Sequence, residues 1–275
     1  MPKENFLPAL RQGMVNHFST NELQTLCFDL SLDWDELAGE TKSLKVQAII
    51  EHLKNRSRLA ELMTVLYRQR PLVSWPDLSP GETWVAGNVV AEEFQKGARH
   101  FRLGALETEQ TRENTAVTNH TYRWEIEALT SPTSTVILPA SNPQPTDFVL
   151  QAELKLTTAK PIAYGLFFRN SHNHNCYFLL WGGSQQYKFT TFDRANNSST
   201  DNISWTGMSL IEPDGFNNLK VVARATSMNL FVNGEPADQV TNAPATGGQV
   251  GVIAFFSAKM TAVIEMRHFS LLVLD

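Results

Sequence analysis

Cysteine is scarce: the chain of 275 residues has two, Cys27 and Cys176. Cys27 lies in an apolar helical run, where a thiol behaves as a small buried hydrophobe, and two such residues build no disulfide framework. That usage suits a reducing cytosol, so a cytoplasmic protein is the expectation. Long apolar runs are missing as well. No stretch approaches the roughly 20 residues of a membrane span, and the opening MPKENFLPALRQGM lacks the continuous apolar segment of a secretion signal. Nor is there an excess of positive charge. A formal charge of −5 and a pI near 5.8 exclude a nucleic-acid or anionic-membrane surface spread over the whole chain. The patterns G-x-x-x-x-G-K-[ST], strand-linked G-x-G-x-x-G, H-E-x-x-H and G-x-S-x-G are all absent. Neither a cofactor nor a catalytic residue is therefore expected.

What is present is charge sorted by position. Between Ser19 and Glu40 the ionisable residues are Glu22, Asp29, Asp33, Asp35, Glu36 and Glu40, with no Lys or Arg. Between Lys42 and Arg70 the balance reverses: Lys42, Lys45, Lys54, Arg56, Arg58, Arg68 and Arg70 stand against Glu51 and Glu61. A surface built only for solubility mixes its signs. An acidic end and a basic end on one small domain can instead dock onto a second copy or a relative. Asp29, Asp33, Asp35, Glu36 and Glu40 are the candidate acidic patch. Lys42, Lys45, Lys54, Arg56 and Arg58 are the candidate basic patch.

The same stretch reads as helices. Leu7, Leu10, Met14 and Phe18 recur at helical spacing and predict a first helix over residues 5–17. Ser19-Thr20-Asn21-Glu22 is a capping box, followed by the apolar stripe Leu23, Leu26, Cys27 and Leu30. A short turn around Trp34 and Leu37 ends at Gly39. Leu44, Val46, Ile49, Ile50 and Leu53 predict a third helix from about Lys42, and Leu59, Leu62, Met63 and Leu66 a fourth, closed by Pro71 and Pro76.

The carriers of a family likeness are the ELQTLCFDL helix, the acidic turn DWDELAGE, the Lys after it, and the closing R-x-x-E-L…R-P-x-x-x-W, within residues 3–76. In this order they resemble the bacterial effector-associated domains. Those are death-domain-like helical adaptors attached to proteases, TIR proteins and other components of bacterial conflict systems. One departure is Ser31, where relatives often carry Gly. The resemblance implies a partner: an effector protein with a related death-like domain, or self-association, and no catalytic residue.

Residues 77–97, punctuated by Pro80, Gly81 and Gly87, read as a linker between domains at 1–76 and 98–275. Beyond it helical periods give way to alternation. FRLGALETE, TYRWEIEAL, DFVLQAELKL, IAYGLFFRN, CYFLLWG, QYKFTTFD, LKVVARA, NLFVNGE, GGQVGVIAFF and AVIEMRHFSLLVL each look like a strand. Asn233-Gly234 marks a tight hairpin. About ten strands without intervening helices predict an antiparallel two-sheet sandwich. The fold class is thus a small death-like helical bundle followed by an antiparallel β-sandwich. The order of NHTYRWEIEAL, DFVLQAELKL, YGLFFRN, CYFLLW, QYKF, NLKVVARA and LFVNGE resembles the bacterial concanavalin A-like (laminin-G-like) jelly-roll modules. Relatives of that fold bind sugars, bind proteins, hydrolyse glycans or serve as spacers, so the fold alone decides no function.

Arg169, Asn170, Trp181, Tyr187 and Trp205 are candidates for a concave ligand face, aromatic rings stacking on a sugar and polar groups orienting it. The polar run RANNSSTDNISW, residues 194–205, reads as a recognition loop. Glu125 and Glu127 share a strand face, but the fuller acid signature of the concanavalin-like glucanases, Glu-x-Asp-x-x-Glu, is lacking. They read as solvent-facing charges. His172, His174 and Cys176 have no second ligand cluster, so no metal is expected. The reading is a non-enzymatic adaptor or sensor whose sandwich takes a glycan or protein ligand or acts as a scaffold. The alternative is a lectin or glycan hydrolase on the sandwich.

Overall fold

A computed structural model describes residues 6–56, 58–70, 72–73, 75–76, 99–102, 111–118, 121–138, 144–158 and 162–274. The expected linker at 77–97 lies outside these residues, as does most of the strand expected at 101–109. The chain groups into two compact units, helices in one and strands in the other.

The helices are α1 (Phe6–His17), α2 (Thr20–Asp29), α3 (Lys42–Asn55) and α4 (Leu59–Gln69). The capping box forms as expected. The Ser19 hydroxyl accepts from the Glu22 amide, and the Ser19 amide donates to the Glu22 carboxylate at 2.7 Å. α2 ends in a Schellman motif: Leu32 N–H donates to Cys27 O and Ser31 N–H to Phe28 O, with Ser31 left-handed at φ 53°. Leu10, Met14, Leu23, Leu26, Cys27, Val46, Ile49, Leu53, Leu62 and Leu66 form the core. Trp75 closes it, against Phe18 and His17. Gly13 gives Trp75 its room, since a Cβ there would stand 2.9 Å from the indole.

Two seven-stranded antiparallel sheets make up the second unit, a jelly-roll sandwich. The first runs β1 (Arg99–Arg102), β4 (Thr133–Leu138), β13 (Gln249–Phe256), β6 (Ala163–Asn170), β7 (His174–Trp181), β8 (Gln186–Asp193), β9 (Ser198–Gly207). The second runs β12 (Glu235–Val240), β11 (Ser227–Val232), β10 (Asn217–Arg224), β5 (Phe148–Leu156), β14 (Met260–Val273), β3 (Thr121–Ala128), β2 (Thr111–Thr118). Period-2 alternation builds the core between them. Trp124, Ile126, Leu150, Ala152, Phe168, Phe178, Leu180, Val221 and Ile264 point inward. Asn233 and Gly234 both take positive φ in the β11–β12 turn, as the pair predicts.

Fourteen strands stand among the described residues, where about ten were expected. The four not expected are β2, β4, β9 and β12. The supposed loop at 194–205 is corrected most: only residues 194–197 turn, and Ser198–Gly207 is edge strand β9.

Candidate functional site

In the helical unit most bases are spent inside the bundle. Lys42 donates to Val15 O near the end of α1 at 2.6 Å. Lys45 donates to Trp34 O at 2.8 Å and Leu37 O at 2.7 Å, with its ammonium 5.0 Å from the Trp34 ring centroid. Arg58 donates to Leu30 O, the C-cap carbonyl of α2, and pairs with Glu61. Arg70 donates to His17 O and pairs with Glu22. Helix ends leave carbonyls without helical partners and carry partial negative charge, so a cation there is held by both effects. The motif residues of the family likeness thus do framework work. Of the five candidate bases, Lys54 and Arg56 are exposed, Arg56 against His52, while Lys42, Lys45 and Arg58 are half-buried.

The acids are placed differently. Asp33, Asp35, Glu36 and Glu40 lie exposed on the α2–α3 connection, and Asp29 ends α2, accepting from Gln69. Among the described residues no Lys or Arg pairs with any of the five. Phe28, on the polar side of α2 next to Asp29, is 82% exposed. An aromatic ring in that position contributes nothing to the bundle core. Sequence reasoning passed over it because it lay within an apolar run, but the spacing of Leu23, Leu26, Cys27 and Leu30 already puts residue 28 off the buried stripe.

In the sandwich, the outer face of the β6–β7–β8–β9 region forms an open groove of about 650 Å³. At one end Trp181 and Trp205 meet edge to face, with centroids 5.3 Å apart. Lys188 pairs with Asp201 at 2.8 Å and lies 5.7 Å from the Trp205 centroid. Asp201 also accepts from Thr190. The Lys188 ammonium, then the Thr190 hydroxyl, hold that carboxyl below its ordinary value against a modest burial penalty. At the other end stands Arg194, oriented by two amides: Nε donates to Asn175 Oδ1 at 3.3 Å and Nη2 to Asn170 Oδ1 at 2.7 Å. Between the ends lies Tyr177, whose burial pushes its phenol up to about 12. It is therefore a neutral donor at any physiological pH.

Two of the five sequence candidates, Trp181 and Trp205, come together in this groove. Asn170 stands at its rim as a support for Arg194. Tyr187 lies on the inner face of β8, opposite Leu180 in register, and donates to Ala237 O at 3.1 Å. Arg169 is fully buried and left-handed (φ 51°). Its guanidinium donates to the carbonyls of Pro244, Thr146 and Ala225 and fastens three loops together. Sequence reasoning missed Asn175, Tyr177 and Lys188, and reached Arg194 and Asp201 only as part of the polar run 194–205. The signal was the period of two: Asn175, Tyr177 and Leu179 share the face of Trp181. Tyr187 was grouped with Trp181 because the register across the β7–β8 turn is not visible in the residues.

Glu125 and Glu127 lie on the outer side of β3, in the other sheet, alternating with buried Trp124 and Ile126. His172 is exposed in the β6–β7 turn, while Cys176 points into the core, with its thiol pushed up to about 12 by burial. Among the described residues no three His, Cys, Asp or Glu side chains group as metal ligands. No helix among them is long and apolar enough to cross a membrane.

The chain thus combines a helical bundle whose acids at 29–40 have no Lys or Arg partner among the described residues with a jelly-roll sandwich that carries an aromatic groove. Residues 10–71 match the family model described as effector-associated domain 7, which points to a role in bacterial effector systems. No curated protein matches the chain. Among solved structures, the sandwich is similar to a carbohydrate-binding module, CBM66, from Bacillus subtilis, at 13% identity and a TM-score of 0.45. That match covers 60% of this chain and 96% of that one. A prokaryotic β-1,3-1,4-glucanase (lichenase) derived from a mouse hindgut metagenome matches at 8% identity and a TM-score of 0.46, covering 65% and 99%. Sheep galectin-11 matches at 12% and 0.32, covering 50% and 99%. The sandwich assignment itself rests on the strand order and register described above.

Proposed function

We propose that the protein is a non-enzymatic adaptor or sensor of a bacterial signalling or defence system, acting in the cytoplasm. Its helical unit, the N-terminal domain over residues 1–76, recruits an effector bearing a related death-like domain. The sandwich over residues 98–275 receives a small ligand in the groove of its first sheet. The observation that supports recruitment is the surface of residues 28–40. Five carboxylates, none paired with Lys or Arg among the described residues, share this stretch with a phenyl ring that is 82% exposed. Interfaces with such a centre gain affinity from the buried ring, and on-rate and specificity from the charges. The docking partner then carries an apolar recess ringed by Lys or Arg. A second copy, offering Lys54 and Arg56, is the self-associating case.

The test is self-association by sedimentation, together with binding to any protein with a related domain that is found encoded beside this chain. Phe28→Ala is expected to weaken binding at least tenfold without changing the circular dichroism spectrum. The triple change Asp33→Asn, Asp35→Asn, Glu36→Gln is expected to weaken it and to flatten its salt dependence. Binding that survives both variants at full strength and is indifferent to salt would sink the docking model.

A hydrolase reading has less support. Cleavage by the usual two-carboxylate route needs an acid and a base flanking one bond. Among the described residues the groove lining holds a single carboxylate, Asp201, its pKa lowered by Lys188, and Glu125 and Glu127 stand on the other sheet. The lectin reading survives as a description of the groove itself.

A further inference from the structure

The polar groups of the groove are unbalanced. Its charged lining residues are Lys188, Arg194 and Asp201. The carboxylate of Asp201 is already shared between Lys188 and Thr190. Arg194 has no carboxylate partner among the described residues. The neighbouring Asp193 spends its oxygens on the Ala195 and Asn196 amides and the Asn196 side chain. The guanidinium of Arg194 is nonetheless held in place by the carbonyl oxygens of Asn170 and Asn175. Both amides are themselves anchored, Asn170 Nδ2 on Gln249 Oε1 at 2.5 Å and Asn175 Nδ2 on the Tyr177 hydroxyl at 3.0 Å. Asn175 is 2% exposed. A buried amide that orients a cation without neutralising it leaves Nη1 free to donate. The Tyr177 hydroxyl, which accepts from Asn175, keeps its own proton for a second donation.

We propose that the groove binds a small anion carried on a ring, a carboxylate or phosphate. The ring packs on the Trp181–Trp205 pair and the anion meets Arg194 and the Tyr177 hydroxyl. The inference rests on the reading of the groove as the ligand site and narrows its ligand to one charge type. Two features favour this over a neutral sugar. A neutral polyol draws on strong acceptors as well as donors, and the one carboxylate among the described lining residues already accepts from Lys188 and Thr190. Arg with preset geometry and two parallel N–H directions matches planar or tetrahedral oxyanions better than single hydroxyls. Asn170 and Asn175 are positioning residues, acting through Arg194.

The experiment uses the full chain and reads tryptophan emission, because Trp181 and Trp205 stand in the groove. The probes are digalacturonate against its methyl ester, and adenosine 5′-monophosphate against adenosine, so that a carboxylated sugar and a phosphorylated nucleoside are told apart. At least one anion is expected to give a saturable change, with its neutral counterpart at least tenfold weaker. Arg194→Gln at this exposed position is expected to weaken the anion at least tenfold with an unchanged circular dichroism spectrum. Asn170→Ala is expected to weaken it less, leaving the preference for the anion reduced. A neutral probe that binds as well as its anion, or an anion indifferent to Arg194→Gln, overturns the proposal. If that neutral binding is lost in Trp205→Ala, the groove remains a ligand site and only the anion preference falls. Binding of none of the four probes overturns the proposal, and any binding indifferent to Trp205→Ala removes the groove reading with it.

Discussion

Glu22 closes the capping box and meets Arg70. The Ser19 amide, then the Ser19 hydroxyl and Arg70, lower its carboxyl from 4.5 to about 2. A carboxyl lowered by folding stabilises the native state above its unfolded value and stops doing so as pH falls. The helical unit should therefore lose stability as pH drops from 4.5 towards 2. Glu22→Gln should abolish this part of the pH dependence, as measured by thermal melts across that range. An unchanged profile in the variant would show that the carboxyl contributes nothing. Ser31 is the second case. Its backbone is left-handed at φ 53°, a conformation that glycine adopts without strain. A side chain at such a position costs roughly 1 kcal/mol against glycine. Ser31→Gly should accordingly stabilise the unit by about 1 kcal/mol in denaturant titration, with binding unaltered.

At the scale of elements, the α2–α3 connection separates two jobs that the sequence shows only as a list of charges. Its acids face solvent, while Lys45 from α3 holds its backbone through the Trp34 and Leu37 carbonyls. Periodicity located the helices, yet it gave no means of telling a cation at an interface from one that holds a helix end. Lys45→Met should therefore act on folding, removing two charge-assisted hydrogen bonds and costing about 3 kcal/mol. Below the melting point, affinity for the partner should hold. A variant of full stability that no longer binds would return Lys45 to the docking surface. Strands teach a parallel lesson. Three of the four that alternation did not reveal, β2, β9 and β12, are sheet edges. Edge strands protect themselves with polar residues and proline, as SSTDNISWTG and EPADQV do. The hydrophobic alternation that betrays a strand is therefore absent where a sheet ends.

For the whole molecule, fold class and the order of its two modules were readable, because both rest on the change of apolar period from helical to alternating. Part of the groove was readable too, through Trp181 and Trp205. Arg169 and Tyr187 were not placed, because burial of an arginine against three carbonyls and the parity of a strand turn are settled by partners distant in sequence. The acidic surface of the helical unit stands apart from the framework that carries it. Its four loop carboxylates hold no helix end and no core position, whereas Lys42, Arg58 and Arg70 each hold a carbonyl at a helix end. Substitutions there should have little effect on folding, so in the docking proposed above the partner recognised can change while the bundle stays the same.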